Sequence, residues 1–350
     1  MDKTDFNYLN ILRGASILRV MLVHLGLSWF YPPYSQYVGI FFPVLFFVSG
    51  AVSYNSFSRS GSIVLHLRKR LIDTLLPYYI FMCIVFILGF FSEGHLYLAS
   101  NEEILKWIFI SPTLSEIDFP LGQIWFIKTL LIMHLISAPI FKVAITRIWI
   151  LPFLLAVSIA INFYSIYYPL KSWLDLAPFK EFFGVSALWN TAMLLSCYMA
   201  GAMLYDARYQ NKKWLFVLLF IFSALALIGL YKANFNLDYY YHFEIKSVFY
   251  VCLSLVVIIL LVQLKNPITE LVTNFQPLRW LLLYANRHSY ALFLLHTVVL
   301  FYVEKLFGWQ SLSGNMPLAL CRLLIVMIVT MLIAPLFTNF VVLLKSKIYR

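Results

Sequence analysis

The chain has 350 residues, of which 62% are hydrophobic and only 12% are charged, and its formal net charge is +11. A water-soluble domain carries about 45–50% apolar and about 25% charged residues. This composition therefore excludes a soluble enzyme, a nucleic-acid-binding domain and a disordered chain, and it indicates an integral membrane protein.

Ten apolar stretches are each long enough to cross a bilayer as a helix. With the amino terminus placed in the cytoplasm, the segments on the inner side hold 15 Lys and Arg residues and those on the outer side hold 6. This imbalance follows the positive-inside rule and accounts for most of the net charge. The sequence thus predicts an all-α polytopic membrane protein of about ten transmembrane helices with both termini cytoplasmic, a single domain over residues 1–350. The predicted spans are 8–30, 37–57, 71–91, 121–141, 148–168, 185–205, 214–231, 246–264, 281–303 and 317–343.

The first predicted span contains two arginines and a histidine, and two of these, Arg13 and His24, are eleven residues apart. Their spacing on an α-helix puts them within about 20° of the same face and about 16 Å apart along the axis. A guanidinium binds phosphate or carboxylate through paired hydrogen bonds, and a neutral imidazole takes a proton from a hydroxyl. The pair is therefore interpreted either as a site for an anionic donor from the cytoplasm or as a snorkelling arginine and a structural histidine.

A basic cluster precedes the third predicted span, where Arg68, Lys69 and Arg70 are followed one turn later by Asp73. The cluster is interpreted either as an ordinary positive-inside signal or as a set of contacts for a polyanionic donor. Asp73 is expected to pair with Arg70 or with another intramembrane cation.

A second histidine, His296, lies about as deep in the ninth predicted span as His24 lies in the first. We expect two imidazoles at matching depth on different helices to share one polar cavity. His134 falls at another depth, and a structural hydrogen bond is expected for it. The four cysteines lie within predicted spans without CxxC spacing, so no metal site and no disulfide framework are predicted.

Five short motifs, taken in order along the chain, resemble the signature of acyltransferase family 3, the membrane-bound O-acyltransferases of bacterial surface glycans. Each motif is weak alone because apolar sequence is repetitive, but together they extend over spans 1, 2, 3, 4 and 9. They are Leu12-Arg13-Gly14 with Val23-His24, Phe46-Phe47-Val48-Ser49-Gly50, Arg70-Leu-Ile-Asp73-Thr-Leu-Leu-Pro77-Tyr78, Trp125-Phe126, and Ser289-Tyr290-Ala-Leu-Phe-Leu-Leu-His296.

The resemblance implies transfer of an acyl group, usually acetyl, from cytoplasmic acyl-CoA to a sugar hydroxyl on the far side of the bacterial inner membrane. It implies His24 as the catalytic residue and Arg13 and Arg70 as donor-binding residues, with acetyl-CoA as the donor and no metal. The chain resembles the stand-alone branch of the family, without an extracytoplasmic hydrolase-like domain. Two departures are Asp73, where members often carry a second arginine, and Gln123-Ile124 before the Trp-Phe pair.

In the resulting mechanistic hypothesis, the donor phosphates lie against Arg70, Arg68 and Lys69, and His24 acts as a general base or as an acyl-carrying nucleophile. Ser289 and His296 are expected to line the acceptor side or to orient His24, and Trp125 is expected to have a supporting role.

Several alternatives stay open. The acceptor is O-antigen, capsule, exopolysaccharide or a small secondary metabolite, and the oligomeric state is undetermined by sequence. A ten-span exporter of a glycan or small acylated compound is the rival function. It predicts related halves with helices broken at matching places, a pattern that the sequence does not display.

Overall fold

A computed structural model describes residues 3–27, 41–93, 108, 110, 124–167, 185–210, 213–232, 243–309 and 315–349. Within these ranges the chain is a helical bundle without strands, as expected where a bilayer leaves backbone groups no water to bond. The helices are α1 (Lys3–Leu22, continued by a π-helical turn, Val23–Leu27), α2 (Phe41–Ser60), α3 (Ile63–Glu93), α4 (Ile124–Thr146), α5 (Ile150–Tyr167), α6 (Val185–Leu204), α7 (Ala207–Gln210), α8 (Lys213–Lys232), α9 (Phe243–Gln263), α10 (Lys265–Asn274), α11 (Gln276–Arg287), α12 (Ser289–Phe307) and α13 (Met316–Ile348).

Several of the described helices meet the length and hydropathy needed to cross a membrane. Five do so alone, and a sixth candidate is the pair Tyr250–Gln263 and Lys265–Asn274, which is bent by 67°. Three further apolar helices are shorter. The membrane class and all-α architecture predicted from composition are confirmed, while the count of ten spans and the location of the termini remain predictions. The five single candidates are Thr4–Leu25, Ile63–Phe91, Ile124–Thr146, Ser289–Phe307 and Met316–Ile348.

The ninth span is not the continuous helix predicted over 281–303. The chain breaks at His288, and the apolar helix α12 begins at Ser289. The preceding helix α11 is amphipathic, with Leu282 buried and Trp280 62% exposed. The prediction was wrong here because hydropathy counts every apolar side chain of α11, including the exposed Trp280, and does not detect the break in the helix at His288.

Close packing of α2 against α6 forms the centre of the bundle. Phe46, Phe47 and Tyr198 are fully buried there. A Cβ atom added to Gly50 would lie 1.9 Å from the carbonyl oxygen of Tyr198, so only glycine lets the two backbones approach this closely. Small residues at helix contacts are the usual means of close packing in membranes. The glycine that ends the Phe46–Gly50 motif therefore has a packing role.

A polar network joins α2, α4 and α6 at one end of the bundle. The hydroxyl of Tyr54 donates to Asp206 at 2.7 Å, and Arg208 lies 2.6 Å from the same carboxylate. Arg208 also donates to the carbonyl oxygens of Ala144 and Ile145, which end α4. Burial acts to raise the pKa of Asp206, but the hydrogen bonds from Arg208 and Tyr54 outweigh it and hold this pKa below its usual value. The carboxylate is therefore charged and fully engaged.

A buried ion pair joins the last two long helices. Arg322 of α13 is 1% exposed, and it lies 2.5 Å from the carboxylate of Glu304 in α12. It also donates to the carbonyl oxygen of Trp309 at 3.2 Å. An arginine at membrane depth needs such partners, because the unpaired charge is costly in hydrocarbon. This cation is thus part of the structural framework.

Replacement of Gly50 by alanine tests the α2–α6 contact. We expect Gly50→Ala to destabilise the purified protein by about 1–3 kcal/mol, because the new methyl group meets backbone that cannot rotate away. The matched control is Gly229→Ala in α8, where a Cβ atom would meet nothing within 4 Å. Thermal melting in detergent should show a lower midpoint for Gly50→Ala alone. Equal midpoints for the two variants would contradict the packing account.

Candidate active site

A cavity of about 290 Å³ opens among α1, α2, α3, α4, α12 and α13. One part of its wall is apolar and includes Ile17, Leu45 and Leu130. The other part is polar and strongly cationic, which is unusual for a site among apolar helices. The charged and hydroxyl-bearing residues of this wall include Arg13, Arg70, Asp73, Ser289, Tyr290 and Lys345.

The position of Arg13 in this wall depends on its neighbour Gly14. A Cβ atom added to Gly14 would lie 2.0 Å from the carbonyl oxygen of Leu282, so the backbone of α11 rests directly on α1 at this point. Arg13 itself is partly exposed to the cavity. In the Arg-Gly pair of the first motif, the arginine thus lines the cavity, and the glycine allows the close contact between α1 and α11 that positions it.

Arg70 reaches the cavity from α3. Its Nη2 donates to the carbonyl oxygen of Val52 at 3.1 Å, which fixes one end of the guanidinium. Its Nε is buried and has no hydrogen-bond partner among the described residues. A buried donor left without an acceptor costs about 1–3 kcal/mol.

The two predicted histidines meet on the α1–α12 contact. The Nδ1 atom of His24 lies 2.8 Å from the Nε2 atom of His296, and the rings stack with centroids 5.1 Å apart. The predicted matching depth is therefore confirmed. Neither histidine lines the cavity of Arg13 and Arg70, so a polar cavity shared by the two imidazoles remains a prediction. His24 lies in the π-helical turn Val23–Leu27 at the end of α1, a departure from α-helical geometry that often occurs at functional sites.

The hydrogen bonds of the pair determine which nitrogen atoms carry protons when both rings are neutral. The Nδ1 atom of His296 lies 2.9 Å from the carbonyl oxygen of Leu292, which can only accept, so this Nδ1 carries the hydrogen. The Nε2 atom of His296 then accepts from Nδ1 of His24. Within the described part of the chain, the Nε2 atom of His24 keeps a free lone pair. His296 is fully buried whereas His24 is exposed, so that lone pair belongs to the accessible ring.

The cavity and the histidine pair are adjacent along the same two helices. Arg13 and Ser289 both line the cavity, and His24 meets His296 further along each helix, so α1 and α12 run in the same direction. The prediction that Arg13 and His24 share one face of α1 is confirmed. Phe293 lines the cavity and also packs against His296, with ring centroids 6.3 Å apart. It therefore connects the two parts of the site.

Not every residue singled out by sequence lies in the cavity wall. Arg68 and Lys69 are exposed, and neither lines the cavity. Trp125 is half-buried and packs edge-on against its neighbour Phe126, which is the member of that pair in the wall. Ser289 lines the cavity beside Arg13.

Several residues of the site were not assigned to it from sequence, and three of them bear on its chemistry or shape. Lys345, counted only as a topological cation, lies 2.9 Å from Asp73. His134 lines the cavity and keeps the structural hydrogen bond that was expected, to the hydroxyl of Tyr198 at 3.1 Å. Phe293 has no polar group to signal its place. Lys345 already had a topological explanation, and His134 lies at a different depth in its predicted span.

Comparison with known proteins identifies the family. A family model described as an acyltransferase domain matches residues 6–338. The chain belongs to acyltransferase family 3. No curated protein and no solved structure gives a significant match. With its membrane-spanning helices, the protein is therefore a multi-pass membrane acyltransferase, and family 3 membership favours acyl transfer over the export function left open by sequence.

The tautomers inferred for the histidine pair are directly measurable. In protein labelled with ¹⁵N-histidine, we expect His24 and His296 both to carry hydrogen on Nδ1 at neutral pH. Each signal is identified by its disappearance in His24→Gln or His296→Gln. In His296→Leu, His24 loses its acceptor, and its preference for the Nδ1–H tautomer should disappear. A wild-type His24 with hydrogen on Nε2 would contradict the proposed network.

Proposed function

We propose that the protein is an O-acyltransferase of the bacterial inner membrane. It moves an acetyl or other short acyl group from cytoplasmic acyl-CoA to a hydroxyl of a cell-surface or lipid-linked glycan. The observation that carries the proposal is the 2.8 Å contact between His24 and His296. It supports the proposal because it leaves an accessible imidazole with a basic nitrogen next to a cationic cavity, in a chain whose family transfers acyl groups.

The cationic part of the cavity suits the donor. The phosphate groups of acyl-CoA match the guanidinium groups of Arg13 and Arg70, which bind phosphate oxygens through charge-assisted hydrogen bonds. Ser289, the first residue of α12, lies in the same wall, where the positive end of the helix dipole favours an anion. We therefore assign Ser289 to the donor side of the site. Arg68 and Lys69, being exposed, remain candidates for the approach of the donor rather than its final position.

The separation between the cavity and His24 suits the rest of the donor. Arg13 and His24 are about 16 Å apart along α1. An extended pantetheine arm covers this separation, and Phe126 and Phe293 give it an apolar wall. The thioester would then reach His24 while the phosphates stay with the two arginines.

The chemistry follows from the free Nε2 of His24. As the acceptor hydroxyl oxygen attacks the thioester carbonyl carbon, Nε2 removes its proton, a new C–O bond forms and the C–S bond breaks. The leaving CoA thiolate takes the proton back from the imidazolium. His296 acts as a positioning residue, because its Nε2 accepts from Nδ1 of His24 and so stabilises the imidazolium. In a nucleophilic alternative, Nε2 attacks the thioester first, the C–S bond breaks and CoA thiolate leaves. The acceptor hydroxyl then attacks the acyl-imidazole, the C–N bond breaks to regenerate His24, and the hydroxyl proton passes to the thiolate.

Replacement of His24 tests the proposal. His24→Ala and His24→Gln should each lower transfer of labelled acetyl to the host glycan by about 100-fold or more, because positioned acid–base groups contribute about 10²–10⁴-fold. The matched control is His66→Gln, since His66 lies outside the cavity wall and bonds Ser53 at 3.2 Å, a contact that glutamine can preserve. Mass spectrometry of surface glycans, with protein levels checked by immunoblot, measures the result. Acetylation retained in both His24 variants would refute the assignment.

A further inference from the structure

We propose that Lys345 is a third cation of the donor site, held by Asp73 when the donor is absent and transferred to a donor phosphate when it binds. Asp73 is then the anion that pairs with Lys345 before the donor binds, and a phosphate group of the donor replaces it. This inference rests on the proposed function, because it assumes that the anion entering the cavity is the donor acyl-CoA.

The geometry places both residues in the donor cavity. Lys345 lies near the end of α13 and Asp73 near the start of α3, and both line the same cavity as Arg13 and Arg70. The Nζ atom of Lys345 is 2.9 Å from Oδ1 of Asp73. The contact is therefore part of the cavity wall as well as a link between two helices.

The charges of the wall favour an incoming anion. Among the described residues of the wall, the three cations Arg13, Arg70 and Lys345 face a single carboxylate, that of Asp73. Lys345 forms an ion pair with that carboxylate. Neither Arg13 nor Arg70 forms an ion pair within the described part of the chain. A ligand with several negative charges would satisfy all three cations, which one aspartate cannot do.

The ion pair is also built so that it can be exchanged. The side chains of Lys345 and Asp73 are 23% and 33% exposed, and partly exposed ion pairs contribute little to stability. A lysine ammonium sits on a flexible four-carbon stem and can follow a phosphate, whereas the short aspartate side chain stays with its helix. Exchange of partners therefore requires a side-chain movement of Lys345 and no displacement of α3 or α13.

Replacement of Asp73 separates this inference from a purely structural role of the ion pair. If Asp73 competes with the donor, Asp73→Asn frees Lys345 and removes repulsion toward the phosphates, so CoA binds more tightly. If the pair only fastens α13 to α3, the same substitution leaves CoA binding unchanged or weakens it. The two roles therefore predict different changes in the CoA affinity of the Asp73→Asn variant.

The experiment measures the dissociation constant of CoA for the full-length protein in lipid nanodiscs by titration calorimetry. We expect Lys345→Met to raise this constant roughly tenfold and Asp73→Asn to lower it roughly threefold to tenfold, with Lys345→Arg close to wild type. In the double variant that combines Lys345→Met with Asp73→Asn, the Asp73→Asn substitution should tighten CoA binding less than it does alone. The reason is that Lys345 is no longer present to be freed. The matched control is Lys265→Met, which removes the Lys265–Asp5 ion pair outside the cavity wall and should not change CoA binding.

Two results would overturn the inference. One is an unchanged dissociation constant in Lys345→Met, and the other is unchanged or weaker binding in Asp73→Asn. Arg13→Ala distinguishes these failures from failure of the proposed function. If Arg13→Ala weakens CoA binding and the Lys345 and Asp73 variants do not behave as expected, the inference alone is wrong. If the wild-type protein does not bind CoA, the proposed donor is wrong and the inference falls with it.

Discussion

The His24–His296 contact depends on α1 and α12 lying side by side and running in the same direction. This arrangement brings Arg13 near the start of α12 and carries His24 to the depth of His296, so a phosphate-binding cavity and an imidazole pair lie along one helix contact. A tilt or a shift of either helix by one turn would separate the two imidazoles. The other features of the site are arranged around this contact.

Close backbone packing supports the polar groups in this apolar setting. Gly14 lets α11 rest on α1 beside Arg13, and Gly50 lets α6 rest on α2, which contributes Leu45 and Ser49 to the cavity wall. Such contacts exclude lipid and rigidify the wall, which is what a precisely spaced donor and base require. The buried partners follow the same logic: the carbonyl oxygen of Leu292 holds His296, and the carbonyl oxygen of Val52 holds Arg70. Glycines and carbonyl oxygens thus do as much for the site as its charged side chains.

Much of the site was predictable from sequence because helical periodicity is local. The spacing of Arg13 and His24 places them on one face of α1, and the matching depth of His296 follows from counting residues into a span. Periodicity does not reveal which helices become neighbours. The contact between Lys345 and Asp73 joins residues that are 272 positions apart, and a lysine at the end of an apolar stretch already has a sufficient topological explanation.

The errors have equally physical causes. The ninth span was placed too early because hydropathy counts exposed and buried apolar residues alike and does not detect the break at His288. Arg68 and Lys69 carry the right charge for a donor, but their positions on α3 leave them exposed outside the cavity wall. Charge and hydropathy therefore located the region of the site, and only the packing of helices selected its members.

A cryo-electron microscopy structure with CoA bound tests the central claim most directly, namely that one continuous site joins the cationic cavity to the histidine pair. The account predicts CoA phosphates beside Arg13 and Arg70, with the thiol contacting Nε2 of His24 past Phe293. CoA bound with its phosphates on another surface, or with its thiol directed away from His24, would contradict it.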